Sequence, residues 1–267
     1  MRVVKAHAYG NDFLLMEASE LPAGIDRPDL ARRICDRYRG IGADGLMIYS
    51  EPPNPRPSEP RASMRLLNAD GSRSEVSGNG VRCLAVLLAG RHPGAREVVV
   101  ETEAGEKRLA LLGREGSRMT FRAAMGAPTE LRTQTLDVLG EPLEVVTLRV
   151  GNPQCVVLGP ISDERLHGIA HALATHPAFP EGTNVELAHV ERPDLVRILI
   201  WERGVGPTWA SGTGACAAAV AAAAYGGAGR DAVIASPGGE QRVEWTDEGI
   251  YLTGWAEITL EGVWLAG

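Results

Sequence analysis

The chain has 267 residues, of which 44% are hydrophobic and 23% are charged, and its formal net charge at pH 7 is −7. This composition predicts a globular protein with ample apolar material for a core, and the length predicts one large domain or two of ordinary size. The acidic balance and the lack of a basic run argue against a nucleic-acid binder.

The chain starts with MRVVKAHAYGNDF, which alternates like a strand and lacks the pattern of a signal peptide. The longest apolar run, around residues 215 to 226, is too short and too rich in alanine for a membrane span. We therefore expect a cytoplasmic protein without a membrane partner. The cysteines are scattered and form no CxxC pair, which predicts buried thiols rather than a zinc site or disulfides; they are Cys35, Cys83, Cys155 and Cys216.

Two kinds of helix are predicted along the chain. Segments 28–39 and 162–176 look like amphipathic outer helices, and the proline-rich EPPNPRPSEP at 51–60 reads as an exposed loop. The helices VRCLAVLLAG and ACAAAVAAAAYGG are instead apolar on every side, so each must be surrounded by other structure. Because period-2 runs such as REVVVET and LEVVTLRV predict strands in both halves, we place each apolar helix inside a curled sheet.

Both apolar helices follow a serine-glycine turn, EVSGNG in the first half and WASGTG in the second. Ser77 and Ser211 are 134 residues apart, and so are Asn68 and Glu202, which follow short strand-like runs. The Gly-Asn pairs upstream of them, in AYGNDF and RVGNPQ, are separated by a similar number of residues. Self-similarity at half the chain length predicts a duplicated lobe rather than a solenoid.

The two turns suggest an anion site. A helix N-terminus presents backbone N–H groups and the positive end of its dipole, so two such ends could hold one carboxylate. Glycines at these turns let the backbone approach a ligand closely. The alternative is that Ser77 and Ser211 are only N-caps, which is the better interpretation for one turn alone. The duplication favours the site.

Other interpretations of these motifs are weaker. SGTGACA lacks the βαβ setting of a dinucleotide site, the chain has no P-loop, and neither serine lies in a GxSxG elbow. His167 and His171 are one helical turn apart, as metal ligands are in some helices. No carboxylate or cysteine joins them, which favours a solvated helix face and no metal.

The motifs, taken in order, resemble those of diaminopimelate epimerase over nearly the whole chain. They are GNDF (10–13), GIGADGL (40–46), NADGS (68–72), SGNGVRC (77–83), GNPQC (151–155), TN (183–184) and ERGVGPTWASGTGACA (202–217). The resemblance implies an α/β (α+β) fold of two pseudo-symmetric lobes, each a curled mixed or antiparallel sheet around a buried central helix, with the site in the cleft between them. The implied limits are 1–126 and 127–267, with the last strand (about 256–267) packing back on the N-terminal lobe.

The same resemblance implies a cofactor-independent isomerase that interconverts LL- and meso-diaminopimelate for lysine and peptidoglycan synthesis. By position, it implies Ser77 and Ser211 as the acid/base pair. The implied substrate-binding residues are Asn11, Asn68, Gly78, Asn79, Asn152, Asn184, Glu202, Arg203, Gly212 and Thr213. The strand edges of either lobe could support a homodimer.

The chain departs from the family pattern where proton transfer is expected. The family has cysteine at both serine positions, histidine where Gln154 stands and glutamate where Pro207 stands. A hydroxyl ionises about seven pH units above a thiol, about 10 kcal/mol, and one helix dipole offsets at most about 2 kcal/mol. Two alternatives therefore stay open: a non-catalytic homologue that binds a diamino acid, and a relative with different isomerase or lyase chemistry.

Overall fold

A computed structural model of the chain describes residues 1–54, 56–74, 77–103 and 105–265. The chain divides into two compact units, Met1–Ala123 with Trp255–Gly267, and Ala124–Gly254. The domain limits implied by the resemblance stay a prediction. Within the first unit, the end of the last strand pairs with the first strand of the chain, for example Arg2 with Val263 and Lys5 with Leu260.

The first half consists of strands with two helices, one after the second strand and one after the fifth. They are β1 (Arg2–Ala8), β2 (Asn11–Glu17), a 3-10 turn (Ala18–Glu20), α1 (Arg27–Ile34), β3 (Gly45–Ser50), β4 (Arg61–Asn68), β5 (Arg73–Ser74), α2 (Gly78–Arg91), β6 (Glu97–Thr102), β7 (Gly105–Glu115) and β8 (Arg118–Gly126).

The second half follows the same order. Its elements are β9 (Thr129–Val138), β10 (Glu141–Val150), β11 (Asn152–Leu158), α3 (Asp163–Arg165), a π-helical segment (Leu166–Ala170), α4 (His171–Ala174), β12 (Asn184–Arg192), β13 (Leu195–Glu202), β14 (Gly206–Thr208), α5 (Gly212–Tyr225), β15 (Asp231–Ser236), β16 (Gly239–Thr246) and β17 (Gly249–Val263).

Strand pairing repeats from one half to the other. In the first, β1–β2 is an antiparallel hairpin, β2–β3 and β4–β6 are parallel, and β3–β4, β4–β5, β6–β7 and β7–β8 are antiparallel. In the second, β10–β11 is the hairpin, β11–β12 and β13–β15 are parallel, and β12–β13, β13–β14, β15–β16 and β16–β17 are antiparallel. This repetition confirms the predicted duplication.

Each apolar helix lies inside the sheet of its unit, as predicted. Helix α2 packs against β1, β2, β6 and β7, and α5 packs against β10, β11, β12, β13, β15 and β16. Every residue of α5 from Ala215 to Ala222 is buried. Because most of these residues are alanine, the strands can approach the helix backbone closely, and the fold class is the predicted α+β one.

The predicted outer helix at 28–39 is too long. Helix α1 ends at Ile34 because the chain then folds back, and the N–H groups of Ile41 and Gly42 donate to the Ile34 carbonyl. A side chain at Gly40 would lie 2.5 Å from that carbonyl oxygen, so only glycine fits this reversal. The predicted helix at 162–176 is present but runs through the π-helical segment.

The predictions of buried cysteines and of an exposed histidine face are confirmed. All four cysteines are buried and none forms a disulfide. His167 and His171 are exposed and lie against the Trp201 ring, with ring centroids 6.0 and 4.9 Å away. Of the helices in the described ranges, none has the length and apolar character needed to cross a membrane.

Candidate functional site

The two serine turns have the same local geometry. Ser77 is the N-cap of α2, and its Oγ accepts from the Gly80 N–H at 3.1 Å. Ser211 is the N-cap of α5, and its Oγ accepts from the Gly214 N–H at 3.2 Å. Both serines are therefore N-caps, and each hydroxyl keeps its hydrogen for a further donor bond.

The cap leaves the first turn of each helix able to meet an anion. The Ser77 and Ser211 carbonyls accept the first intrahelical bonds, from Val81 at 2.8 Å and from Ala215 at 3.1 Å. Helix geometry directs the preceding N–H groups, those of residues 78–79 and 212–213, out of the helix end. Each helix start thus offers backbone donors and a positive dipole end beside a serine hydroxyl.

A tight hairpin positions Asn11 in the first unit. Tyr9 and Gly10, at φ 57° and 89°, join β1 to β2, and positive φ at both central residues is the requirement of a type I′ turn. Asn11 follows as the first residue of β2. Its Nδ2 donates to Asp44 Oδ2 at 2.7 Å, so its Oδ1 is the end left to accept, and it accepts from Asn79 Nδ2 at 3.3 Å.

A charged network supports this hairpin. The buried Asp12 carboxylate accepts from the two terminal guanidinium nitrogens of Arg37, Nη2 at 2.8 Å and Nη1 at 3.2 Å, and lies 2.9 Å from Lys5 Nζ. Arg37 also bonds Asp44 Oδ1 at 2.8 Å. Although burial raises the pKa of Asp12, the hydrogen bonds from Arg37 and Lys5 bring it below its usual value. Asp12 is thus a stable anion that fixes the orientation of the Asp44 and Asn11 side chains.

Two more predicted residues of the first unit have fixed amides. Asn68, exposed at the end of β4, donates through Nδ2 to Ser72 Oγ at 2.9 Å, which leaves its Oδ1 to accept. The Asn79 Oδ1 accepts from the buried Arg82 guanidinium at 2.9 Å, which leaves its Nδ2 to donate. Asn11 and Asn79 are therefore brought together, whereas Asn68 bonds within its own turn.

The second unit collects polar side chains beside the start of α5. The buried Gln154 amide lies between Asn152, Glu186 and Thr213. Thr213 Oγ1 lies 3.5 Å from Ser211 Oγ. A Cβ atom at Gly214 would lie 2.5 Å from Glu186 Oε1, so glycine is what admits this carboxyl to the helix start.

Asn184 and the Glu202-Arg203 pair lie in the second unit as well. Asn184 Oδ1 accepts from the Arg203 backbone N–H at 2.9 Å, so its Nδ2 is the end left to donate. Arg203 is exposed, with Nη1 donating to the Glu181 carbonyl at 2.8 Å. Glu202 is half-buried. Pro207 lies on β14, opposite Trp201 of β13, and is exposed.

The cysteines inside α2 and α5 do not lie at the helix starts. Cys83 and Cys216 are fully buried, and burial raises the pKa of the Cys83 thiol far above its usual value. Neither thiol is suited to proton transfer with a ligand, because a thiolate there would be desolvated. Serine is the residue that each turn presents.

Four polar residues of these arrangements escape sequence reasoning: Asp12, Asp44, Arg82 and Glu186. Asp12, Asp44 and Arg82 stand inside motifs, and Glu186 follows TN by two residues. The partners of Asp12, Asp44 and Glu186 come from distant parts of the chain, whereas Arg82 bonds Asn79 one helical turn away. The available signal is a charge inside an apolar run, as in TNVELAHV for Glu186 and GNDFLLM for Asp12.

Comparison with known proteins gives a consistent result. The family model described as "Diaminopimelate epimerase" matches residues 3–130 and 146–259. The diaminopimelate epimerase of Desulforudis audaxviator (strain MP104C) is 39% identical over 286 residues, covering 99% of each chain. That of Moorella thermoacetica (strain ATCC 39073 / JCM 9320) is 40% identical over 284 residues, covering 98% of each.

Solved structures share the fold at low sequence identity. A predicted epimerase from Pseudomonas aeruginosa matches with a TM-score of 0.71 and 16% identity, over 100% of this chain and 99% of that one. A hydroxyproline epimerase from Agrobacterium vitis, with bound trans-4-hydroxy-L-proline, matches with a TM-score of 0.67 and 16% identity, over 98% of this chain and 91% of that one.

Proposed function

Since this chain belongs to the diaminopimelate epimerase family, a family of isomerases, we propose that it interconverts LL- and meso-diaminopimelate without a cofactor. We propose Ser77 and Ser211 as the acid/base pair, which makes proton transfer slower than with two thiols. The observation that carries this proposal is the matched pair of serine-capped helix starts, one in each unit.

The helix starts suit the carboxylate of the reacting centre. Backbone N–H groups of Gly78 and Asn79, and of Gly212 and Thr213, can donate to a carboxylate, and the positive dipole ends favour negative charge. Removing the α-proton moves further negative charge onto this carboxylate. Donors that already face it stabilise the resulting enolate more than the ground state, which is the requirement for catalysis.

The fixed amide orientations suit a second amino-acid end. Asn11 and Asn68 keep an acceptor oxygen, which matches an ammonium, and Asn184 keeps a donor nitrogen, which matches a carboxylate. Arg203 can pair with the same carboxylate through its guanidinium, and Glu202 can accept from an ammonium. We propose this set, together with Asn152, for recognition of the distal end of diaminopimelate.

The proton steps balance between the two serines. One serine, as alkoxide, takes the α-proton and becomes a hydroxyl, while the electron pair of the C–H bond moves into the enolate. The other serine gives its hydroxyl proton to the opposite face of the α-carbon and becomes the alkoxide. Each turnover thus exchanges the protonation states of the two serines, and the reverse reaction uses them in the opposite roles.

Exchange of the α-proton tests this proposal. The protein is incubated with LL-diaminopimelate in heavy water, and loss of the α-proton signal is followed by NMR. We expect slow exchange, and an increase of about 100-fold or more in the Ser77→Cys/Ser211→Cys variant, because thiols ionise about seven pH units lower. Ser162→Cys is the matched control, since Ser162 is also an N-cap but on the exposed helix α3.

The outcomes are distinct. The Ser162→Cys variant should exchange at the wild-type rate. Absence of exchange in both the wild type and the double-cysteine variant, with both folded, would rule out the epimerase proposal. Equal exchange in the two would show that the serine positions do not transfer the proton.

A second candidate is a homologue that binds a diamino acid without turning it over. Two observations favour this binding role. The Ser77 and Ser211 oxygens are both used as cap acceptors, and ionising a hydroxyl instead of a thiol costs about 10 kcal/mol. Calorimetry distinguishes it from the first: tight diaminopimelate binding with no exchange supports it, and no binding of any diamino acid ends it. Exchange with another amino acid would instead indicate different isomerase or lyase chemistry.

We also propose that the protein is cytoplasmic and works as a homodimer. Family members act in amino-acid biosynthesis, which supports the location, and the homodimer is proposed from the general tendency of sheet edges to pair with another chain. Analytical ultracentrifugation at micromolar concentration tests the second point, and a single species at the monomer mass would contradict it.

A further inference from the structure

Glu186 is a buried carboxyl for which the proton steps above have no use. It lies on β12 in the second unit with no exposed surface. Burial, and then the nearby charge of Glu202, raise its pKa well above the usual value. Buried carboxyls need hydrogen-bond partners, so its surroundings decide its role.

The partner of Glu186 is the side-chain amide of Gln154. One end of that amide lies 3.0 Å from Glu186 Oε1 and 3.3 Å from Oε2, and the other end lies 3.2 Å from Thr213 Oγ1. The same far end is 2.6 Å from Asn152 Oδ1. Thr213 Oγ1 is in turn 3.5 Å from Ser211 Oγ, and either oxygen can donate. The four side chains from Glu186 to Ser211 are therefore connected in series.

This chain of hydrogen bonds can point in either of two directions. A protonated Glu186 donates to Gln154 Oε1, Gln154 Nε2 then donates to Thr213 Oγ1, and Thr213 donates to Ser211. An ionised Glu186 only accepts, so Gln154 turns Nε2 towards it and Oε1 towards Thr213. The Asn152 amide must turn at the same time, so that its Nδ2 rather than its Oδ1 faces Gln154 Oε1. Thr213 then donates to Gln154, and its oxygen is left to accept from the Ser211 hydroxyl.

We infer that Glu186 is a positioning residue for Ser211, which sets, through Gln154 and Thr213, whether the Ser211 hydrogen points away from Thr213 or towards it. A hydrogen directed away from Thr213 can be given to a substrate. A hydrogen held by Thr213 leaves the Ser211 oxygen to accept one. The inference rests on the proposed function only in assigning proton transfer to Ser211; the amide carries no proton itself.

The titratable groups next to Glu186 do not interrupt this series of hydrogen bonds. Glu202, at the end of β13, contributes a negative charge that favours the protonated form of Glu186. The buried Cys155 thiol, next to Gln154 on β11, has its pKa raised by burial and by Glu186, so it stays neutral in the working range. Glu186 is thus the group whose ionisation reverses the direction of the hydrogen bonds from Glu186 to Ser211.

Nuclear magnetic resonance without substrate tests the inference. The signal of the Gln154 side-chain NH₂ reports on the middle of the hydrogen-bond series. The signal of the Gly214 backbone N–H, which donates to Ser211 Oγ, reports on the Ser211 end of that series. In a pH titration of the wild type, both signals should shift in one common step. In Glu186→Gln the common step should be lost from both, because the amide at 186 does not titrate.

Thr213→Val is the matched variant, which interrupts the series of hydrogen bonds between Gln154 and Ser211 and leaves Glu186 unchanged. The Gln154 step should persist in it and the Gly214 step should disappear, and this variant carries the test alone if Glu186→Gln fails to fold. A Gly214 step that survives in either variant, or the lack of a common step in the wild type, would overturn the inference. Because no substrate is used, these outcomes are independent of whether diaminopimelate is turned over.

Discussion

At the scale of single residues, the same two serines have a structural role and a proposed chemical one. As N-caps, each satisfies a helix N–H group, and cysteine does this less well because sulfur is a weak acceptor. Replacing a family thiol by serine therefore favours helix stability at the expense of acidity. Substitution of either serine by cysteine should consequently lower the stability of the chain and raise the exchange rate.

We expect Ser77→Ala and Ser211→Ala each to lower the free energy of unfolding by about 1 kcal/mol, because each removes an N-cap hydrogen bond. Urea denaturation measures the change. Ser19→Ala serves as the control, since Ser19 bonds only the Glu17 side chain at the surface. Unchanged stability in both cap variants would contradict the capping role.

Asp12 predicts a pH dependence of stability. Its pKa is lower in the folded chain than in the unfolded one, so its contribution is present above the unfolded value of about 4 and is lost as the pH falls through the folded value. Asp12→Asn should lower the free energy of unfolding by about 2 kcal/mol at pH 7, since charged hydrogen bonds from Arg37 and Lys5 are lost. The difference from wild type should shrink below pH 4.

Urea denaturation at pH 7 and at pH 3 measures this difference. Asp231→Asn is the matched control, because Asp231 also pairs with an arginine, Arg242, but at the surface. Solvent screening should keep its effect at about 1 kcal/mol or less. An Asp12→Asn deficit that is the same at both pH values would contradict an ionised Asp12.

Residues whose role depends on near neighbours were accessible from the sequence, and those whose partners are distant were not. The serine caps and the buried cysteines follow from local pattern and composition. The Glu186 neighbours come from positions 154 and 213, and the Asp12 partner Arg37 from a loop after α1. No periodicity encodes such pairs, because they arise only when strands and helix ends meet.

At the scale of elements, the two central helices start alike but meet different surroundings. The residue three after each serine is a glycine, and a Cβ atom there would meet Glu186 Oε1 at 2.5 Å in α5, but Met47 Cε and Ser77 Cβ at 3.3 Å in α2. The duplicated sequence signal is thus the same, whereas the steric constraint is specific to the second unit. The boundary error at α1 has a similar origin, since contacts of Gly40 end that helix.

We expect Gly214→Ala to lower the free energy of unfolding by about 1–3 kcal/mol, because the added methyl displaces the buried Glu186 carboxyl. The equivalent Gly80→Ala is the matched control. It should be neutral or stabilising by up to about 1 kcal/mol, since alanine is the better helix former. Urea denaturation compares the two, and Glu186→Ala should partly rescue Gly214→Ala; equal effects at both glycines would contradict this account.

At the scale of the whole molecule, the end of the chain supplies the first unit with a strand that the second unit takes from its own start. In the second unit, β9 pairs with β10 and precedes it in sequence. In the first unit, the strand beside β1 is the end of β17, more than 240 residues later. The repeated strand order was predictable from self-similarity, and this closing pair was available only from the family resemblance.

Removal of residues 255–267 should therefore destabilise the first unit selectively. It deletes the strand that pairs with β1 and the Trp255 ring, which lies 4.5 Å from the buried Tyr9 ring and 4.1 Å from Arg118. Hydrogen exchange should accelerate in β1, while β10 stays protected because β9 still covers it. Trp255→Ala separates the two losses: it removes the ring but keeps the strand, so β1 should stay protected. Unchanged exchange in β1 after truncation would show that β17 does not hold it.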